Sequence, residues 1–308
     1  MSSSSNSDVS TNLTISQNIS TLLMLFVLWV DVAISAPSTF YVMPEGNDRW
    51  SGRKMEASRN DGPFATLERA RQALRAAGGG EVVVGGGTYE LKAPMVLGPK
   101  DSGTPQAPRV YRAAKDAEVR ISAGRDISGF RVLNDAARLA LLPKVARGRV
   151  LHTNIKEQGI EAFGEPTGGF GRDGLPGLEL FINDQPLVLA RYPSEGYMRI
   201  AAVHGATEKE VRGRVGTVEG IITYEDMRPE RWIREKAPMA LGFWFWDWAE
   251  HRQRIAEIDP AQQRLLLAEP HARYGYRVGQ RFYGFNLFSE IDQPGEWYLD
   301  RETGDLFV

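Results

Sequence analysis

Cysteine is absent from the 308 residues. That excludes disulfide staples, thiolate metal sites and a cysteine nucleophile. Histidine is scarce: the four residues stand at 152, 204, 251 and 271, with no HExxH and no close pair, so a histidine-held zinc has no basis. No calcium-loop motif offers a carboxylate alternative. The glycine runs at 78–80 and 85–87 follow a predicted helix instead of opening one, and neither GxxxxGK[ST] nor GxGxxG accompanies them, so no phosphate loop is expected. Charge of one sign is also missing: 37 basic and 39 acidic residues leave −2, with no basic stripe. Nucleic acid is therefore not an expected partner. Nothing in the sequence predicts a metal or a cofactor.

Against these absences, the chain has 42% apolar and 25% charged residues, a globular balance, and 32 glycines that favour turns over long helices. Residues 1–36 differ from the rest. A polar, Ser/Asn-rich start precedes the apolar run 22–30, and small residues follow up to Ala36. The arrangement resembles a secretory signal peptide, with Ala33, Ser35 or Ala36 available to a peptidase. It departs from that pattern in having no Lys or Arg ahead of the run and in the interruption by Asp31. The run is too short for a comfortable membrane span. Residues 1–36 are read as a signal peptide or disordered leader, and the expected location is secreted or periplasmic, with no membrane attachment after cleavage.

From residue 37 the pattern turns to short strands. A strand is expected at 40–42 and a helix from Leu67, capped by Thr66, with Leu67, Ala70, Ala73, Leu74 and Ala77 on one apolar face. Glycines 78–80 end it. Strands then follow at 81–84, 95–97, 109–111 and 119–121, separated by turns and with no helical crossover. Such spacing suggests a sandwich, a barrel or a β-helix, and the helix ahead of it suits a cap over an open end. Beyond residue 130 the texture changes to hairpins: 178–182 with 187–189 around Asn183, and 253–258 with 265–267 around Asp259. A strand at 297–299, a turn at 300–304 and an apolar return at 306–308 close the sequence.

Several stretches taken together resemble the large right-handed parallel β-helix proteins related to glycoside hydrolases and polysaccharide lyases. They are FYVMPEGNDRWSG at 40–52, DGPFATLERARQALR at 61–75, GGGTYEL at 85–91, DSGT at 101–104, LFINDQPLVLARYP at 180–193 and IDQPGEWYLDRETGDLF at 291–307. The resemblance implies a mainly β fold: the start of a right-handed parallel β-helix with an N-terminal capping helix and an inserted antiparallel β-rich domain. It places the cap and first coils at 37–129, the inserted domain at 130–290, and a return into the β-helix at 291–308 that is cut short. In such proteins the catalytic carboxylates lie on later coils. The implied function is therefore the N-terminal part of a carbohydrate-active protein, with a polysaccharide or glycan as partner, whose full-length relatives hydrolyse glycosides. No catalytic residue is nominated, and whether this chain is itself an enzyme stays open. A non-catalytic carbohydrate-binding module and a polysaccharide lyase relative are the alternatives.

The segment 243–251, FWFWDWAEH, is the most unusual local feature. Read as a strand, it sets Trp244, Trp246 and Trp248 on one face. Indoles stack on sugar rings, and they equally fill the seam between β layers; Trp232 and Trp297 pose the same choice. Asp247 and Glu250 invite a two-carboxylate hydrolysis, but their opposite parity points them to different faces of a straight strand. Glu290, Asp292 and Glu296 suit turn caps or arginine partners such as Arg281 and Arg301. Arg191 with Tyr192 offers the neutraliser and base of a lyase, if the phenol were depressed in pKa.

Overall fold

A computed structural model describes residues 38–171 and 177–308. The leader expected at 1–36 lies outside them, as do residues 37 and 172–176. The described chain is mainly β, with parallel strand pairs near its start and an early helix, and it divides into two compact units, one up to Arg125 and one from Asp126 to Val308.

In the first unit, β1 (Ser38–Val42) is followed by α1 (Leu67–Ala76), β2 (Gly80–Val84), β3 (Gly87–Glu90), β4 (Arg109–Ala113) and β5 (Val119–Ser122). Three strands stack in parallel in the order β1-β2-β4, and β3 pairs in parallel with β5. Gly80 faces Arg109, 29 residues on, and Gly87 faces Val119, 32 residues on. These two circuits take about 30 residues each, while the one from β1 to β2 runs from Ser38 to Gly80 and includes α1. Gly80 is what lets β1 and β2 meet: its φ is +123°, and a Cβ there would lie 2.1 Å from the Ser38 carbonyl oxygen. The 95–97 stretch, expected as a strand, forms none, and Val96 and Leu97 stay exposed. Apolar residues alone do not make a strand without a neighbour to pair with.

Helix α1 begins where expected, with the Thr66 hydroxyl accepting from Arg69 N. Asp48 holds this cap in turn, its carboxylate accepting from the backbone of Ala65 and Thr66 at 2.9 Å and from the Thr66 hydroxyl at 2.7 Å. Leu67, Ala70, Ala73 and Leu74 are buried with Phe40, Val42, Phe64, Val82 and Val84. Ala77 is instead the exposed C-cap, because the helix ends one residue before the apolar stripe does. On the polar side Arg71 and Arg75 converge on Asp101 at 3.0 and 2.6 Å.

The second unit opens with β6 (Arg131–Val132), α2 (Ala136–Leu141), β7 (Leu151–Asn154) and β8 (Gly168–Gly169). Next come β9 (Phe181–Ile182), β10 (Gln185–Pro186), β11 (Val188–Leu189), β12 (Arg191–Tyr192), β13 (Met198–Arg199) and β14 (Ala202–His204). Then follow β15 (Glu208–Val211), β16 (Arg214–Thr217), β17 (Ile221–Thr223), β18 (Met239–Gly242) and β19 (His251–Asp259). The unit closes with β20 (Arg264–Leu267), β21 (Arg281–Phe285), β22 (Glu296–Asp300) and β23 (Asp305–Phe307). A large antiparallel sheet runs β12-β21-β18-β19-β20-β17-β14, and a smaller one runs β11-β22-β23-β7-β6. The hairpin around Asp259 forms as expected, whereas the one around Asn183 joins β9 to β10 and leaves residues 188–189 to pair in parallel with β22. Asn183 and Asp184 carry φ of 48° and 62°, the left-handed pair of a two-residue turn between β9 and β10. The expected return strand forms as β23, an interior strand hydrogen-bonded to β22 on one side and β7 on the other. Leu306 and Phe307 are each 1% exposed there.

Two indoles in the core of the large sheet are seated over missing side chains. On β18 and β21 one face carries Ala240 and Gly242 opposite Gly284 and Phe282. A Cβ on Gly242 would stand 2.4 Å from the Trp244 ring, and one on Gly284 would stand 2.4 Å from Trp232. Both indoles are buried with satisfied N–H groups: Trp244 donates to the His251 carbonyl and Trp232 to Glu290, each at 2.8 Å. The opposite face of the same strands carries Met239, Leu241 and Phe285 beside Phe243 and Tyr283.

Candidate functional site

The 243–250 segment is not a strand. β18 ends at Gly242, the chain bends, and β19 starts at His251, with Ala249 N donating to the Trp246 carbonyl at 3.1 Å inside the turn. The expected single row of indoles therefore does not exist. Trp244 is 1% exposed and belongs to the core, and Trp232 and Trp297 are buried likewise. Trp246 is half-buried against Phe245 at 5.1 Å, with the Arg277 guanidinium over both rings. Arg277 also donates to the Phe245 carbonyl at 3.1 Å, which holds this corner in place. Of the three indoles only Trp248 turns to solvent, at 52% exposure.

Trp248 has two companions that periodicity could not have found. Phe170 meets it edge-on at 4.8 Å, and Tyr274 meets it at 5.7 Å and lies 6.4 Å from Phe170. Phe170 is 46% exposed and Tyr274 half-buried. Each companion arrives on a glycine loop. Gly169 brings its backbone against Glu250, where a Cβ would stand 2.4 Å from the Glu250 carbonyl oxygen; Gly275 does the same against Thr217, also at 2.4 Å. Aromatic residues beside glycines in polar loops were the only sequence signal.

The carboxylates of the segment are each paired with a separate arginine. Asp247 accepts from Arg281 at 3.2 Å and Glu250 lies 3.4 Å from Arg252. Nearby, Glu165 holds Arg254 at 2.7 Å. A cleft of about 350 Å³ is lined by Glu165, Thr167, His251, Arg252, Arg254 and Glu269 among others. His251 is the first residue of β19 and is buried.

The lyase pair does not take the form its chemistry asks for. The Tyr192 hydroxyl donates to Asp226 at 2.5 Å, and this bond, with burial behind it, pushes the phenol up to about 12. A base needs the opposite direction. Arg191 lies instead over the Tyr283 ring, 3.6 Å from its centre. In the acidic cluster, Glu290 is fully buried and held by Arg228 at 2.6 Å, not by Arg281 or Arg301. Glu296 does cap a turn, accepting from Asp292 N and Gln293 N at 2.9 and 3.1 Å, and burial raises its pKa. Among the described residues no group of three or more His, Asp or Glu could hold a metal ion, and no helix is long and apolar enough to cross a membrane.

No protein-family model matches the chain, and no curated protein matches it. A solved structure titled "Glycoside hydrolase" does, with a TM-score of 0.64 at 22% identity, over 89% of this chain and 43% of that one. The chain therefore spans less than half the length of the protein whose fold it shares. At that identity the likeness concerns the fold.

Proposed function

We propose that the chain is the N-terminal part of a secreted, carbohydrate-active parallel β-helix protein, and that it contributes glycan contacts without a complete catalytic site. In this reading β1-β2-β4 and β3-β5 are the first coils, α1 caps them, and residues 130–290 are an inserted β-rich domain. The roughly 30-residue return between stacked parallel strands supports the coil reading, and the match to a glycoside hydrolase fold supports the carbohydrate one. The observation that carries the glycan contact is the solvent-facing group Phe170, Trp248 and Tyr274. Such rings cover the apolar C–H faces of a pyranose while hydroxyls at the rim stay wet. The hydrolysis that full-length relatives would perform needs two carboxyls facing one glycosidic bond. Asp247 and Glu250 are each tied to their own arginine, so neither stands free for that task.

Binding of the purified chain to soluble polysaccharides in affinity electrophoresis tests this. Trp248→Ala should weaken retention by about 2–10-fold, the ~0.5–1.5 kcal/mol of one aromatic contact, with the circular dichroism spectrum unchanged. Trp244→Ala should instead cost folding. Retention that survives the combined loss of Trp248 and Tyr274 would remove the site. Release of reducing ends by the wild-type chain would overturn the incomplete-site reading. A purely binding module is the second reading, and the same exposed aromatic group favours it.

A further inference from the structure

The face of the large sheet turned away from the Trp232–Trp244 core carries a second aromatic group, and arginines run through it. Register places the side chains. Leu241 pairs with Tyr283 on one side and Arg252 on the other, and Arg281 pairs with Arg199. The Arg281 guanidinium lies 4.1 Å from the centre of the Phe243 ring and 5.3 Å from that of Tyr197. Arg191 lies 3.6 Å from the Tyr283 ring and 5.9 Å from Tyr197. Tyr197 sits over this layer at 44% exposure, 6.0 Å from Phe243 and 5.8 Å from Tyr283. Rings and guanidiniums thus alternate across the surface.

Charge on this face is not balanced. Arg281 and Arg252 have Asp247 and Glu250. Arg191 donates to the carbonyls of Pro193 and Gly196 at 2.8 and 2.6 Å, and Arg199 to that of Gly279 at 2.9 Å. Those carbonyls orient the guanidiniums and leave their charge uncancelled. The chain as a whole carries −2, so a face with cationic excess is a local feature.

We infer that this face of β12, β13 and β21 binds an anionic saccharide, with Arg191 meeting its carboxylate or sulfate, Arg199 adding charge beside it and Tyr197 covering a ring. The inference deepens the glycan-binding reading above and rests on it. A planar guanidinium meets carboxylate or sulfate oxygens through paired N–H donors, which a neutral sugar cannot return. Nucleic acid fits less well, because its affinity comes from many phosphate contacts along a basic track and this face offers a short patch.

The full chain should be titrated with polygalacturonate, a sulfated glucan, neutral dextran and a single-stranded DNA oligomer, at two salt concentrations. Tighter binding of the polygalacturonate or the sulfated glucan than of dextran, by at least about tenfold and weakening with salt, is expected; which of the two anions prevails tells carboxylate from sulfate. Arg191→Gln should remove about tenfold of that affinity. Arg214→Gln, the same charge change at the start of β16, should leave it unaltered. Should Arg191→Gln disturb the fold, Arg199→Gln on the exposed edge replaces it, with a smaller expected loss in the same direction. Equal binding of dextran and the polyanions, sensitive to Trp248→Ala only, would overturn this inference and keep the glycan reading. Binding of no saccharide would overturn both. Preference for DNA, or polyanion affinity indifferent to every arginine on this face, would overturn the anionic-saccharide site alone.

Discussion

Glu290 shows how much a single side chain can hold in place. Its carboxylate is fully buried, yet three N–H groups meet it: Arg228 Nε–H, shared between the two oxygens, Arg228 Nη2 and the Trp232 indole. Both oxygens are hydrogen-bonded, which offsets the desolvation of the charge. Glu290→Gln leaves the Arg228 guanidinium facing a neutral amide, and should cost about 3–5 kcal/mol, read as a lower urea midpoint in tryptophan fluorescence. Tyr192 sets a pH window. Its phenol is raised to about 12 by the Asp226 bond and by burial, so the folded state favours the protonated form. That contribution is complete below the unfolded value near 10 and is lost as pH rises toward about 12. Tyr192→Phe removes the Asp226 bond, should cost about 1 kcal/mol at neutral pH, and should flatten the alkaline fall in stability; a pH series of urea melts compares the two chains.

Among the elements, β18 and β21 are decided by what they omit. Gly242 and Gly284 are not turn glycines; they are the floor on which Trp244 and Trp232 lie. A methyl group at either position cannot be absorbed, because the ring above is buried and the strand below is paired on both sides. Gly284→Ala should therefore destabilise by at least about 1–3 kcal/mol through overpacking, and Trp232→Phe in the same chain should recover part of it. The double-mutant cycle measures that coupling, and simple additivity would show that the glycine serves some other purpose. Helix α1 behaves in the reverse way, since its capping residue and apolar spacing specify it locally. The 243–250 bend falls between these cases. Its alternation of large aromatics is strand-like, and the tertiary placement of the rings breaks it.

At the scale of the molecule, β4 and β5 end their parallel stacks, with Val110 41% and Ile121 55% exposed beside them. Strand edges of this kind pair with further strands, from the same protein or another copy. The purified chain should associate with rising concentration in light scattering, and Val110→Lys with Ile121→Lys should suppress this without changing α1 or the core. Scattering that is indifferent to both lysines would place association elsewhere. What was legible in the sequence was local: the cap at Thr66, the glycines that end α1, the hairpin turns at Asn183 and Asp259, and the β-rich character. Each depends on a few neighbouring residues and their backbone preferences. Tertiary structure alone decided that Trp244 is core and Trp248 is surface, that Phe170 and Tyr274 join the latter, and that arginines from β12, β19 and β21 share a face. Those groupings join residues up to about a hundred positions apart, and register between strands, which local preference does not encode, determines which of them meet.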